Sequence, residues 1–357
     1  MKRLLIVSTE SYNGKSVLAL SLGLWLREQG IPFTYMKPIS YEVSYATGAP
    51  VDRDALTICN ALGLEDEIND VAPVPLEGPF LREAIVSGDR GFRKRIAKSF
   101  ERISAERDIA LIEGRHFLGL GISAGLSDID IASMLGADIV ILTRYNGEDA
   151  IDRILSSLRL LEGGPNVLGV VFKGVEMSTQ LTPLNEVFVP FLAERGAEVL
   201  GIVPFDGSLR SVRVAELADR LGATVANNVS LECTVSHFVV ASSGPEAELR
   251  RFRRTPYLGV IVGGDRDDVH DAALRVSSLE CLIVTGNRRP SQEILSRATE
   301  QGVPVLLVGQ TTMSASAQCQ ELLSRVWVAP GETLDRAVRL FQANVDIERI
   351  LEKAEDR

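Results

Sequence analysis

The sequence predicts an α/β protein: an open parallel sheet with flanking helices over residues 1–207, followed by a smaller α/β unit. Two patterns carry this reading. Short, continuous apolar runs at Leu4–Val7, Phe33–Met36, Ile109–Ile112, Ala137–Leu142, Val167–Phe172 and Val199–Val203 suit strands buried on both faces. Between them lie helix-period stretches at Ser16–Gln29, Asp54–Leu62, Gly91–Glu106, Asp149–Leu161 and Pro183–Arg195. Strand and helix in alternation build a parallel sheet covered on both faces.

The texture changes after Pro204-Phe205-Asp206-Gly207. Arg213–Leu221 reads as one more helix, and a second series of apolar runs follows at Phe238–Ala241, Leu258–Val262, Leu282–Thr285 and Val305–Val308. Helical patterns at Asp268–Ser277, Ser291–Gln301 and Ser314–Leu323 separate them. The expected division is 1–207, 208–330 and a charged helical tail, 331–357. A length of 357 residues agrees, since it exceeds one ordinary core.

Composition narrows the function classes. A net charge of −10 argues against nucleic acid as the main partner, because a phosphate backbone rewards clustered Lys and Arg. Met1-Lys2-Arg3 and the apolar run behind it are too short for a signal peptide. No stretch approaches the roughly 18 apolar residues of a membrane span. A cytoplasmic protein without a membrane partner is expected. Cys59, Cys233, Cys281 and Cys319 are widely spread and suggest neither disulfides nor zinc, with Cys281 in the core.

The first apolar run leads into Ser8-Thr9-Glu10-Ser11-Tyr12-Asn13-Gly14-Lys15-Ser16, and an apolar helix follows. A phosphate-binding loop needs backbone N–H groups curled around an anion, a lysine for the outer phosphates and a hydroxyl for Mg²⁺ at a helix N-terminus. Gly14, Lys15 and Ser16 meet those needs, although Thr9 stands where the usual first glycine would be. The nucleotide contacts expected are Ser11, Tyr12, Asn13, Gly14, Lys15, Ser16 and Val17, with ATP and Mg²⁺ as the bound species.

Lys37, at the end of the second run, points toward the ligand crevice of such a sheet. Asp52 and Asp54 precede a helix, and Glu113 ends the third run. Mg²⁺ takes one or two carboxylates beside phosphate oxygens and waters. Ser16, Asp54 and Glu113 are therefore the expected metal residues, and Lys15 and Lys37 the expected catalytic ones. Asp52 is open between helix cap and ligand. Asp128 and Asp130 read as helix-start acids.

Ser8–Ser16, Lys37-Pro38, Asp54 and Glu113-Gly114 resemble the dethiobiotin synthetase-like P-loop ATPases, in the form found at the N-terminus of some bacterial phosphotransacetylases. Leu200-Gly201-Ile202-Val203-Pro204 is similar to the end of that region. Residues 210–325 resemble the DRTGG domain that follows it there, through Gly264-Asp265-Arg266-Asp267-Asp268, Thr285-Gly286 and the stretch Pro304–Thr312. The resemblance implies a P-loop NTPase fold, Mg-ATP and a homodimer. It also implies a small anion or protein partner at the DRTGG domain, with Arg266 a candidate contact.

Two departures bear on function. Arg115-His116-Phe117-Leu118-Gly119-Leu120-Gly121 replaces the family's small glycine-rich substrate stretch, and Lys173 stands where the family often places Asn for adenine. No part of the sequence resembles an acyltransferase catalytic domain, so acetyl transfer is not expected. The preferred reading is a nucleotide-responsive regulatory or binding module. The alternative is an ATP-dependent synthetase that activates a small carboxylate or carbamate by phosphoryl transfer, with His116 a substrate-side acid or base.

Overall fold

The computed structural model describes all residues except 12–13, 41–42, 45–50, 77–90, 210, 325–330 and 356–357. The chain forms two compact units, Met1–Asp206 with Val328–Arg357, and Gly207–Trp327.

In unit 1, strands β1 (Lys2–Ser8), β2 (Phe33–Met36), β3 (Ile109–Glu113), β4 (Asp138–Arg144), β5 (Val167–Val175) and β6 (Val199–Pro204) pair in parallel. Their order is β6-β5-β4-β1-β3-β2. The central strand is Leu4–Val7, fully buried, as the apolar run requires. Three runs continue into charged residues: Glu113, Arg144 and Lys173 lie inside strands although they follow the apolar runs. These polar strand ends gather at the carboxyl edge of the sheet. The chain places β3 on one side of β1 and β4 on the other, and that switch opens the crevice where ligands of open parallel sheets bind.

The flanking helices are α1 (Lys15–Glu28), α2 (Arg53–Leu62), α3 (Phe92–Ile103), α4 (Asp128–Leu135) and α5 (Asp149–Leu161). α3 shows how most of them are held: Ile96, Phe100 and Ile103 are buried while Arg93, Lys94 and Arg95 face water. α1 differs, being buried nearly all round through Val17, Leu18, Ala19, Leu20, Leu22 and Leu26. Its Gly23 leaves no room for a side chain, since a Cβ there would fall 2.6 Å from Leu62 of α2.

Unit 2 carries α6 (Val214–Arg220), β7 (His237–Val240), α7 (Pro245–Phe252), β8 (Leu258–Gly263), α8 (Asp267–Ala273), β9 (Leu279–Thr285), α9 (Gln292–Glu300), β10 (Val305–Leu307) and α10 (Thr312–Ser324). Its sheet runs β10-β9-β8-β7 in parallel, and Thr224–Val225 adds antiparallel to β10. One core lies on each face: Phe252, Val260 and Leu282 on one, Leu217, Ile261 and Cys319 on the other.

The segment expected as a separate tail belongs to unit 1. It forms α11 (Glu332–Asn344) and α12 (Ile347–Lys353). α11 packs on α1 and β6, with Leu334, Ala337, Val338 and Phe341 buried. Val345 makes an antiparallel bridge to Gly201, and Asp346 N donates to Leu200 O at 2.8 Å. α12 is tied down by Lys2 Nζ donating to Leu351 O at 2.7 Å and by Arg349 and Lys353 on Glu198 at 3.0 and 2.9 Å. Its charged pattern misled because charges concentrate on the outward face, while the apolar positions recur at helical spacing underneath. Among the described residues, no helix is long and apolar enough to cross a membrane.

Candidate nucleotide site

The phosphate loop joins β1 to α1 at the carboxyl edge of the sheet. Gly14 takes the left-handed conformation, φ 83°, and caps α1 without a side-chain hydrogen bond. No acidic residue sits in the first turn of α1. The helix therefore presents uncapped N–H groups and a positive end, a setting for an anion. Tyr12 and Asn13, two of the expected contacts, lie outside the described residues. Ser11 is exposed at the turn, and Val17 is buried in the first turn of α1.

Lys15 is buried, with Nζ 3.3 Å from Ser8 Oγ. Burial lowers its pKa, opposed by the nearby carboxylates Glu113 and Asp128. Ser16 Oγ donates to Glu113 Oε1 at 2.7 Å, and Tyr35 OH donates to the other oxygen, Oε2, at 2.7 Å. Burial, then the Glu113 charge, push the Tyr35 hydroxyl well above its ordinary pKa, so it stays a donor. Glu113 is thereby oriented by one strand neighbour and presented to the loop hydroxyl.

Lys37, beyond β2, lies 3.0 Å from Asp52 Oδ2 and 3.7 Å from Asp54 Oδ2. Burial works against its charge, but Asp52 first, then Glu113 and Asp54, hold its pKa above the ordinary value. Asp52 serves as the cap of α2, accepting from Ala55 N at 2.8 Å through Oδ1. The same oxygen accepts from Lys37 Nζ at 3.2 Å, so one carboxylate oxygen answers to both the helix end and the lysine. Asp54 stands one turn-position on, partly exposed beside Lys37. The structure brings Lys15, Ser16 and Glu113 into one cluster and gathers Lys37, Asp52 and Asp54 into an adjoining one. Among the described residues, no group of three or more His, Cys, Asp or Glu side chains is arranged to hold a metal alone.

Behind Glu113 the loop is built around Arg115. Its Nη1 donates to Leu120 O and Leu126 O at 3.3 and 3.2 Å. A Cβ on Gly121 would fall 2.2 Å from that nitrogen. Arg115 N donates to Asp128 Oδ1 at 2.9 Å, and Asp128 Oδ2 packs against Gly114, where a Cβ would approach within 2.5 Å. Burial raises the Asp128 pKa to about 6 and lowers that of Arg115 to about 10. Asp130, by contrast, forms a capping box with Ser127 at the start of α4. The gap left between Leu5, Ile39, Gly114, Arg115 and Asp128 is too tight for a water molecule. His116 is fixed through its carbonyl, which accepts from Ser8 Oγ at 3.1 Å.

Two further neighbours of Gly14 were not expected. A Cβ there would meet Lys173 Nζ at 3.3 Å and Phe341 Cζ at 4.0 Å. Both side chains are buried. On the other side of the loop, a depression of about 510 Å³ is bordered by Thr9, Phe117, Asp149, Asp152 and Leu160.

In unit 2, Arg266 stands at the N-cap position of α8, just past β8, without a side-chain cap. It forms a two-point pair with Asp268 at 3.0 and 3.1 Å and donates to Ser243 O at 3.0 Å. Gly264 is needed because a Cβ would fall 2.0 Å from Arg288 O. The arginines at 250, 251, 253 and 254 are exposed, with Arg251 reaching Glu248 at 3.9 Å. All four cysteines are free, and Cys281 is in the core.

Residues 2–213 match the AAA domain family, and residues 216–322 match the DRTGG domain family. The phosphate acetyltransferase of Pseudomonas putida is 24% identical over 97% of this chain and 51% of its own. The ATP-dependent dethiobiotin synthetase of Methanocaldococcus jannaschii is 23% identical over 56% of this chain and 92% of its own. The CBS and DRTGG domains of Clostridium perfringens pyrophosphatase, complexed with diadenosine tetraphosphate, are 22% identical with a TM-score of 0.29, covering 34% of this chain and 50% of that one. The chain spans about half the length of the phosphate acetyltransferases it matches. It belongs to the AAA domain family in its dethiobiotin synthetase-like P-loop form, with a DRTGG domain joined to it.

Proposed function

We propose that unit 1 binds Mg-ATP and that the chain works as a nucleotide-responsive binding or regulatory module. The observation that carries the binding reading is the 2.7 Å bond from Ser16 Oγ to Glu113 Oε1, which joins the loop hydroxyl to the strand-end carboxylate. Hydroxyl and carboxylate oxygens are a hard donor pair, and Mg²⁺ takes such groups while keeping several waters and phosphate oxygens. The residues therefore fit the ion. Ser16 and Glu113 would hold it, with Asp54 anchoring its waters; when bound, Mg²⁺ would supply charge neutralisation at the outer phosphates. Lys15 and the uncapped turn of α1 bind and orient those phosphates.

The filled space behind Glu113 supports a module rather than a synthetase. Arg115 is held by the carbonyls of Leu120 and Leu126, and Lys37 is committed to Asp52 and Asp54. The synthetase reading finds one point of support in the 510 Å³ depression beside Thr9. Its lining includes Asp149 and Asp152, with Arg153 paired to Asp149 beside them, so it presents no concentrated positive charge for a carboxylate or carbamate.

Calorimetric titration with ATP, ADP and GTP, with and without Mg²⁺, followed by a phosphate-release assay with a panel of small carboxylates, tests both. Mg²⁺-dependent ATP binding with negligible turnover is expected. Rapid release only on adding a carboxylate would replace the module by the synthetase.

A further inference from the structure

Gly14 is the last residue of the phosphate loop before Lys15, and its left-handed backbone sets the direction of the N–H groups that follow. The space on its open side is taken by two side chains from distant parts of unit 1. Lys173 arrives from the carboxyl end of β5, with Nζ 3.3 Å and Cδ 3.9 Å from the place a Gly14 Cβ would occupy. Phe341 arrives from α11, with its ring edge at 4.0 Å. They are only 7% and 4% exposed, so they form a closed wall rather than a passing contact.

α11 is also fastened to the elements that carry this site. Gln342 Nε2 donates to Ser21 O of α1 at 3.2 Å. Arg336 pairs with Asp206, just past β6. The end of α11 is pinned to β6 by the Val345–Gly201 bridge. The helix is the first one formed after the chain re-enters unit 1 from residues 207–327.

We propose that α11 is a working part of the nucleotide site: Phe341 and Lys173 are positioning residues that hold Gly14, so filling the phosphate loop and seating α11 are coupled. This rests on the nucleotide reading above and adds its regulation. An anion drawn into the loop recruits the N–H groups around Gly14 and fixes that residue, which favours the state in which Phe341 is packed against it. A ligand shifts an equilibrium only through contacts that differ between two states, and the wall of Lys173 and Phe341 beside Gly14 is the one this proposal names. The coupling is reciprocal: releasing α11 weakens nucleotide binding by the same factor. The connection from unit 2 leads into this helix, which gives that unit a covalent route to the loop.

The test uses the full chain. Hydrogen exchange of residues 332–344 is followed with and without Mg-ATP, and ATP affinity is measured for Phe341→Ala, Phe341→Leu, Lys173→Ala and Lys173→Arg. Added protection in α11 is expected, with an affinity loss of about fivefold or more in Phe341→Ala and Lys173→Ala, and recovery in the conservative variants. Lys173→Ala leaves Phe341 and the packing of α11 on α1 in place, so it reports even if Phe341→Ala fails to fold. Wild-type protein that binds ATP with no change in α11 exchange, together with Lys173→Ala at wild-type affinity, would overturn the coupling alone. Wild-type protein that binds no nucleotide would overturn the nucleotide reading and the coupling with it.

Discussion

Ser16 and Glu113 are 97 residues apart in sequence, yet their side chains share a 2.7 Å hydrogen bond that ties the first turn of α1 to the end of β3. The same carboxylate receives Tyr35 from β2 through its second oxygen, so three elements converge on one group. A bound cation would replace the proton that Ser16 lends to Glu113, while Tyr35 keeps the carboxylate aimed.

Lys15→Ala removes the principal cation for the outer phosphates. ATP affinity is expected to fall about tenfold or more, roughly 1.4 kcal/mol, measured by titration. Unchanged binding would refute the phosphate-loop assignment.

Glu113→Gln and Asp54→Asn should reduce Mg²⁺-dependent binding much more than metal-free binding, since each removes a hard charged ligand or an anchor for its waters. Titrations with and without Mg²⁺ separate the two effects. If both variants keep wild-type metal dependence, the ion sits elsewhere, and Asp52 is the next residue to replace.

Asp128→Asn should make the protein more stable near neutral pH and flatten its pH response. Burial raises the folded-state pKa of Asp128 to about 6, so the folded protein holds the proton more tightly than the unfolded chain. Wild-type stability therefore falls as pH rises from about 4 to about 6 and is level above that. The amide keeps an acceptor for Arg115 N. Melting temperatures at pH 4, 5 and 7.5 should show the slope in wild type only; an equal slope in the variant would place its origin in another group.

Gly201→Ala tests the junction between α11 and α12. A Cβ at that position would lie 2.7 Å from Asn344 O and 2.9 Å from Val345 Cα, both backbone atoms that cannot turn aside. A loss of about 1–3 kcal/mol in unfolding free energy is expected, with faster proteolysis around residue 345. A variant as stable and as resistant as wild type would mean that the bridge contributes nothing.

The DRTGG unit, expressed as residues 208–330, should fold alone and self-associate. It closes a core on each face of its own sheet, which supports independent folding, while self-association is what its resemblance to DRTGG domains of dimeric proteins implies, C₂ contacts being the commonest closed assembly. Light scattering over a range of concentrations reads the mass; a folded monomer throughout would leave any assembly to unit 1.

The strands were legible because a parallel strand buried on both faces writes itself as an uninterrupted apolar run. That Lys15, Ser16 and Glu113 come together was legible because all three stand just past, or at the end of, such runs. Arg115 was not, since its partners are the carbonyls of Leu120 and Leu126, and backbone acceptors leave no mark in a sequence. Asp52 stayed open between cap and ligand because either use occupies one oxygen; in the fold it caps α2 and also pairs with Lys37. The covering of α1 by α11 left one trace. Val17, Leu18, Leu20, Leu22 and Leu26 surround the helix, and a helix with a single sheet to cover needs only one apolar stripe.

Because α11 and α12 belong to unit 1, the DRTGG unit is spliced into the P-loop unit rather than appended to it. A fragment ended at residue 207 would keep every strand of the first sheet but strip the outer face of its phosphate-loop helix, leaving a greasy surface where Val338 and Phe341 had lain. Such a fragment should clump. A deletion that removes residues 207–327 and sutures the flanks with a flexible linker should stay dispersed, and it keeps Phe341 and Lys173 beside Gly14.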